Sequence, residues 1–149
     1  MEKKTMLYQL TETSPFMMSF VLVTKENNVI IVDGGRPADM PLLKQYVAGR
    51  HISAWNLTHA HNDHISGFVD EIARNGGADF DIEKIYYNFP PYDLINNHNV
   101  LDYDYLVQEL EESLPAFMEI EPKIRDKAHI VTQGESIQVD ECRIDFLFS

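Results

Sequence analysis

The sequence predicts a layered α+β fold, and three patterns carry the prediction. Residues 29–32, "VIIV", are four consecutive β-branched apolar residues, as in a strand buried on both faces. Ile65, Phe68, Val69 and Ile72 recur at i, i+3, i+4 and i+7, one face of a helix. Patterns of these two kinds interleave along the chain in the coarse order ββ(β)αβαβαββ(β), which is the mark of stacked sheet and helix layers. With 149 residues, 44% of them apolar, the chain can bury one substantial core. No repeat, low-complexity tract or Gly/Ser linker divides it, so residues 1–149 are expected to form a single domain.

Taken in order, "TMLYQLT" reads as a moderate strand and "FMMSFVLVT" as a stronger one. The turn "KENN" leads into "VIIVDGG", whose paired glycines end the strand sharply because they adopt backbone angles closed to other residues. A short helix follows at about residues 40–48, with Asp39 as its N-cap, Pro41 in its first turn and Gly49 as its stop. "HISAWNLTH" is the next strand, and the helix carrying Ile65 to Ile72 begins at about residue 65 and ends at Gly76-Gly77. "KIYYNF" is a strand broken by Pro90-Pro91. A long helix is expected on Leu106, Leu110 and Leu114, continued by Phe117 and Met118, with Pro115 kinking it or ending it early. The tail reads as two or three strands around "QGES" and "VDE".

The totals exclude several roles. With 24 Asp+Glu against 12 Lys+Arg, the surface is not built to neutralise a phosphate backbone, although a local metal site can override that sign for a nucleotide substrate. A single cysteine, Cys142, rules out an intrachain disulfide framework; it alternates with apolar neighbours and reads as a small buried hydrophobe. No run approaches a membrane span, and the opening "MEKKTMLYQL" lacks a signal-peptide core, so a cytoplasmic protein without a membrane partner is expected.

The informative stretch is "LTHAHNDHISG", residues 57–67. It packs His59, His61, Asp63 and His64 into six positions between the end of a strand and the start of a helix. If extended, 59, 61 and 63 share one side. A turn there lets imidazoles and a carboxylate converge within the roughly 2.0–2.2 Å bonds of zinc. Asp63 and His64 are adjacent and must diverge, so two ions roughly 3.5–4 Å apart suit the set better than one. That division gives His59 and His61 to the first ion, Asp63 and His64 to the second. The blander alternative is a polar loop whose histidines cap the next helix, a task for which one short polar residue suffices.

"THAHNDHISG" resembles the H-x-H-x-D-H motif of the metallo-β-lactamase superfamily, and "VIIVDGG" upstream is similar to the strand and Asp-Gly-Gly turn that precedes it there. Ser66 stands where that motif commonly has glycine, a change that leaves the ligands untouched. The resemblance implies an αββα sandwich, of which this chain covers the first half, with a site for one or two metals, usually zinc; manganese or iron are alternatives. It also implies that Asp33 supports the metal loop, although an aspartate bonding its own turn is a compatible reading. The implied function is a metal-dependent hydrolase in which metal-bound hydroxide attacks an ester or phosphoester, Asp63 both ligating metal and orienting the hydroxide. The order of the two motifs resembles the hydrolase domains attached to bacterial DNA-uptake channels, which favours phosphoesters among small-molecule substrates.

The family domain supplies a further histidine, a bridging aspartate and a last histidine, and their contexts are not matched downstream by His98, His129, Asp140 or Asp145. The expectation is therefore an N-terminal portion, weakly active or inactive alone, binding metal weakly unless dimerisation or His98 completes a site. The rival expectation is a non-catalytic module that self-associates into a homo-oligomer through an exposed sheet edge, or that simply stores or senses metal. Elsewhere the residues read as structural. His51 and His129 lie at strand starts, His98 in an exposed loop, "YYNFPPYD" as core and rigid turn, and Glu109, Glu111 and Glu112 as a solvated helix face.

Overall fold

The computed structural model describes residues 2–10, 17–93 and 104–147, with only the backbone of 104–107. Nine strands are described: β1 Met6–Gln9, β2 Ser19–Val23, β3 Val29–Asp33, β4 His51–Asn56, β5 Asp81–Ile82, β6 Ile85–Tyr87, β7 Ala128–Ile130, β8 Ser136–Val139 and β9 Cys142–Asp145. The helices are α1 Met40–Val47, α2 Asn62–Asn75 and α3 Asp104–Ile124, with a 3-10 turn at Pro37–Asp39. Seven strands form one mixed sheet in the order β1-β2-β3-β4-β6-β7, with the short β5 also paired to β4. The first two pairings are antiparallel and the rest parallel.

Alternation along the strands sorts the core into two layers. Val21, Val29, Ile31 and Trp55 share one cluster with Leu43 and Val47 of α1, Ile65, Phe68 and Ile72 of α2, and Leu114, Phe117, Ile120 and Ile124 of α3. All three helices thus pack on one face. Ile30 and Ala54 point the other way and meet Val139, Ile137, Cys142 and Ile144 of the β8–β9 hairpin. The expected double-sided burial of "VIIV" is realised: helices cover one side, the hairpin the other.

That hairpin is a separate two-stranded sheet. Its turn is tied to the β2–β3 turn: Thr24 Oγ1 and Asn28 Nδ2 donate to Asp140 Oδ2 at 2.6 and 3.0 Å, and the Lys25 amide donates to Glu141 at 2.9 Å. The Cys142 side chain is half-buried against the sheet.

Several expectations are corrected. Helix α2 starts at Asn62, before residue 65, because His61 is still extended (φ −76°, ψ 151°) and the chain turns helical immediately after it. Asp39 stands at the N-cap position of α1 as expected, but with a helical backbone and no side-chain capping bond; its carboxylate accepts the Arg36 amide at 2.9 Å across the 3-10 turn. Helix α1 closes on two successive left-handed residues, Ala48 (φ 51°) and then the expected Gly49 (φ 70°). Helix α3 runs through Pro115 and Pro122 to Ile124, and Met118 is 56% exposed while Ile120 and Ile124 carry the buried stripe. The pair β5 lies in a stretch with no strand expected. His98 lies outside the described residues.

Gly67 is required by contact. A Cβ there would stand 2.8 Å from the Arg36 carbonyl oxygen and 2.9 Å from Met40 Sδ, and its amide donates to Gly35 O at 2.9 Å. Gly67→Ala is expected to cost about 1–3 kcal/mol of folding stability, read as a lowered urea midpoint; an unchanged midpoint would mean α2 can lift off the 36–40 segment freely.

His51 bridges two carboxylates across the β4–β5 boundary, Nδ1 at 2.8 Å from Asp81 and Nε2 at 2.9 Å from Glu83. Glu83 and then Asp81 raise its pKa against a smaller effect of burial. A raised folded-state pKa adds stability that is complete below the unfolded value of about 6.5 and is lost as pH rises through the folded value. The stability gap between the wild-type protein and His51→Gln is therefore expected to be wider at about pH 6 than at about pH 9; equal gaps in denaturant titrations would remove this linkage.

Candidate metal centre

Strand β3 ends at the sheet's centre with Asp33 in the left-handed region (φ 58°), an uncommon conformation for a residue with a side chain. Asp33 is 1% exposed, and its carboxylate does not bond its own turn. Oδ1 accepts the Thr58 amide at 2.8 Å, the Thr58 hydroxyl lies 3.0 and 2.8 Å from Oδ1 and Oδ2, and His64 Nδ1 donates to Oδ2 at 2.7 Å. One buried carboxylate thus holds both ends of the "THAHNDH" loop.

The backbone reinforces that grip. Gly34 and Gly35 amides donate to His64 O at 2.8 and 3.2 Å, and the Met18 amide donates to Asp63 O at 3.1 Å. Gly35 sits at φ 70°, where an added Cβ would meet Met17 Cγ at 2.8 Å, so only glycine makes this turn without displacement.

The loop changes conformation midway. Residues 59–61 precede the helix, and Asp63 and His64 occupy the first turn of α2. His59 and His61 face each other, Nε2 to Nδ1 at 3.2 Å, while His64 Nε2 lies 3.5 Å from Asp63 Oδ2. The His59 and His64 rings lie with centroids 3.8 Å apart and planes tilted by 54°, so all four side chains form one patch. Asp63 does not share an extended face with the two histidines; it reaches them by the turn into α2. His61 occupies the N-cap position but makes no side-chain capping bond, so helix capping does not account for the cluster.

These distances suit a cation. Two ligand atoms on one tetrahedral zinc, each about 2.0–2.1 Å away, stand about 3.3 Å apart. The His59–His61 and Asp63–His64 pairs are each close to that separation. Thr58 Oγ1 is 3.1 Å from His59 Nδ1 and can accept its N–H, which leaves Nε2 as the lone-pair nitrogen. Likewise the Asp33 contact engages Nδ1 of His64 and leaves Nε2 turned to Asp63.

Electrostatics distinguish the rings. Burial, then the neighbouring His64 and His61, lower the His59 pKa and favour the neutral, ligating imidazole. Burial also acts to lower that of His64, but its hydrogen bond to Asp33 and the charges of Asp33, Asp63 and Glu109 outweigh it and raise the pKa.

Three contributors were missed in the sequence. Thr58 adjoins the motif, but nothing local marks it as the partner of Asp33. Glu109 of α3 is not part of a purely solvated face: it lies 3.7 Å from Arg36, and one of its oxygens stands with ligand atoms of His61 and Asp63 all within 4.8 Å of one another. Glu111 and Glu112 are exposed, as expected, although Glu112 also accepts a hydrogen bond from Asn62 at 3.3 Å. Beside the loop lies a cavity of about 480 Å³ whose lining includes Asn56, Thr58, Tyr86, Asn88 and Phe146.

No curated protein matches the chain. Among solved structures it is similar to a metallo-beta-lactamase from Staphylococcus aureus subsp. aureus COL, with a TM-score of 0.55 and 16% identity over 99% of this chain and 35% of that one. A diphosphatase from the PhnP family is matched with a TM-score of 0.47 and 14% identity, over 89% of this chain and 45% of that one. The chain thus spans about a third to a half of these proteins. The family model described as the metallo-beta-lactamase superfamily matches residues 14–138, which include Asp33 and the whole histidine loop, and the chain belongs to that superfamily.

Proposed function

We propose that this chain carries the metal-binding loop of a hydrolase acting on esters or phosphoesters, with His59, His61, Asp63 and His64 as the ligands. The observation that carries this reading is the pairing of donors at 3.2 and 3.5 Å, each pair with its outer nitrogen held by Thr58 or Asp33. His59 and His61 would hold one ion and Asp63 and His64 a second, zinc being the first candidate and manganese or iron the alternatives. Such ions supply a nucleophile at neutral pH by lowering the pKa of bound water, and they polarise the scissile bond.

The chain's own groups set up that chemistry. Asp33 fixes His64 through Nδ1 and keeps it from rotating out of the patch. Thr58 relays the same carboxylate to His59, so both imidazoles present their Nε2 atoms together. Asp63, whose ionised carboxylate only accepts, would ligate the metal and orient an attacking hydroxide by accepting its hydrogen bond. The cavity lined by Tyr86, Asn88 and Phe146 opens beside the loop, with apolar walls for a substrate's body and amide groups for its polar edge. As the chain covers 35% of the lactamase's length, the reading extends to the whole enzyme as a proposal, and the ligand set is the part this chain can test alone.

Zinc-loaded protein is expected to cleave bis(p-nitrophenyl) phosphate slowly, and Asp63→Ala to fall to background with loss of bound metal. Turnover that survives in Asp63→Ala would take Asp63 out of the reaction. Asp33→Asn keeps the side-chain shape but replaces one accepting oxygen by a donor facing Thr58 and His64. Its zinc affinity is expected to drop by about 10–100-fold in chelator competition; wild-type affinity would reduce Asp33 to a turn residue.

A further inference from the structure

We propose that Glu109, on α3 and outside the histidine motif, is an additional ligand for the cation held by this loop; the inference rests on the metal-binding reading above. Its position follows from how α3 is docked. Ser113 is buried, and its hydroxyl lies within hydrogen-bonding distance of two carbonyls, Ala60 O in the middle of the loop and Glu109 O one turn back, the latter at 2.7 Å. Glu109 and Ser113 are i and i+4, so the face that grips the loop is the face that carries Glu109. Asn62, at the start of α2, donates to Glu112 at 3.3 Å and adds a second contact to the same helix. The loop and α3 are therefore held in register by contacts that do not involve Glu109 itself.

In that register an oxygen of Glu109 lies within 4.8 Å of a ligand atom of His61, assigned above to one ion, and of Asp63, assigned to the other, so the carboxylate can add to either. Ligand atoms on one zinc stand about 3.3 Å apart, so the carboxylate must close by at most about 1.5 Å, a movement within reach of a side chain with three rotatable bonds. Its contact with Arg36, at 3.7 Å, is longer than a hydrogen bond and involves two partly exposed side chains. Arg36 thus balances the carboxylate's charge without fixing its oxygens, and a divalent cation can draw it inward. Two ions shared among four motif ligands are each short of the three protein ligands usual for zinc, and a carboxylate from α3 raises that count.

The test uses the full 149-residue chain, zinc competition with a chromophoric chelator, and cobalt(II) absorption as a reporter of the ligand set. Glu109→Gln is expected to weaken zinc binding about tenfold or more and to alter the cobalt spectrum. Glu111→Gln, an exposed change on the same helix, should do neither. Thermal unfolding of the metal-free variants should coincide with that of the wild-type protein, which separates a lost ligand from a lost fold. If Glu109→Gln keeps wild-type affinity and spectrum while His61→Ala loses zinc, the role given to Glu109 is overturned and the metal loop stands. If His61→Ala binds zinc as the wild-type protein does, the loop is not the site, and both readings fall.

Discussion

One buried carboxylate organises this molecule's functional edge. Asp33 ends the central strand β3 in a left-handed conformation, a cost a side-chain-bearing residue bears only where its surroundings fix it. They do so through Thr58, at the end of the neighbouring strand β4, and His64, in the first turn of α2. The carboxylate therefore joins three successive parts of the chain, strand end, loop and helix start. A buried carboxylate is tolerated only when it is paired and hydrogen-bonded, and here three donors, the Thr58 amide and hydroxyl and His64 Nδ1, converge on its two oxygens. The geometry of the loop is thus a property of the sheet, which is rigid, rather than of the loop itself.

The division of the loop into an extended half and a helical half follows from that anchorage. His59 and His61 lie before the helix, His61 itself extended, and their ring nitrogens meet at 3.2 Å. Asp63 and His64 lie on the helix, where the turn carries them back toward His59. A wholly extended or wholly helical segment could not bring all four together. Gly35 and Gly67 permit the close approach of α2 to the turn after β3, so the motif's glycine serves backbone packing while its histidines serve the patch.

The sequence showed most of this architecture because the relevant signals are local. The β-branched run of β3, the apolar stripe of α2 and the crowded histidines are each visible within a dozen residues. What it hid was either a boundary or a distant contact. The start of α2 was placed too late because its first turn is made of polar residues, which carry no apolar periodicity. Helix α3 does not stop at Pro115 but continues to Ile124, because the apolar stripe from Leu114 through Phe117 to Ile120 and Ile124 packs into the core and offsets the local cost of proline. Glu109 looked like one of several surface acids, since only the docking of α3 by Ser113 distinguishes it from Glu111. Thr58 was hidden for a similar reason, its partner being on another strand.

Among the described residues the hairpin β8–β9 pairs with no strand of the main sheet; it is held by a small apolar contact, by the polar latch between its turn and the β2–β3 turn, and by a hydrogen bond from Thr5 to Glu141. Such a unit can detach as a local unfolding event without breaking the helix-covered core. The Asp33 anchor lies wholly in that core, so the loop keeps its order when the hairpin loosens. The neighbouring cavity does not, because Asp145, Phe146 and Leu147 form one of its walls. Order at the histidines and enclosure beside them therefore rest on different parts of the chain, the first on the sheet and α2, the second on the residues that follow β9.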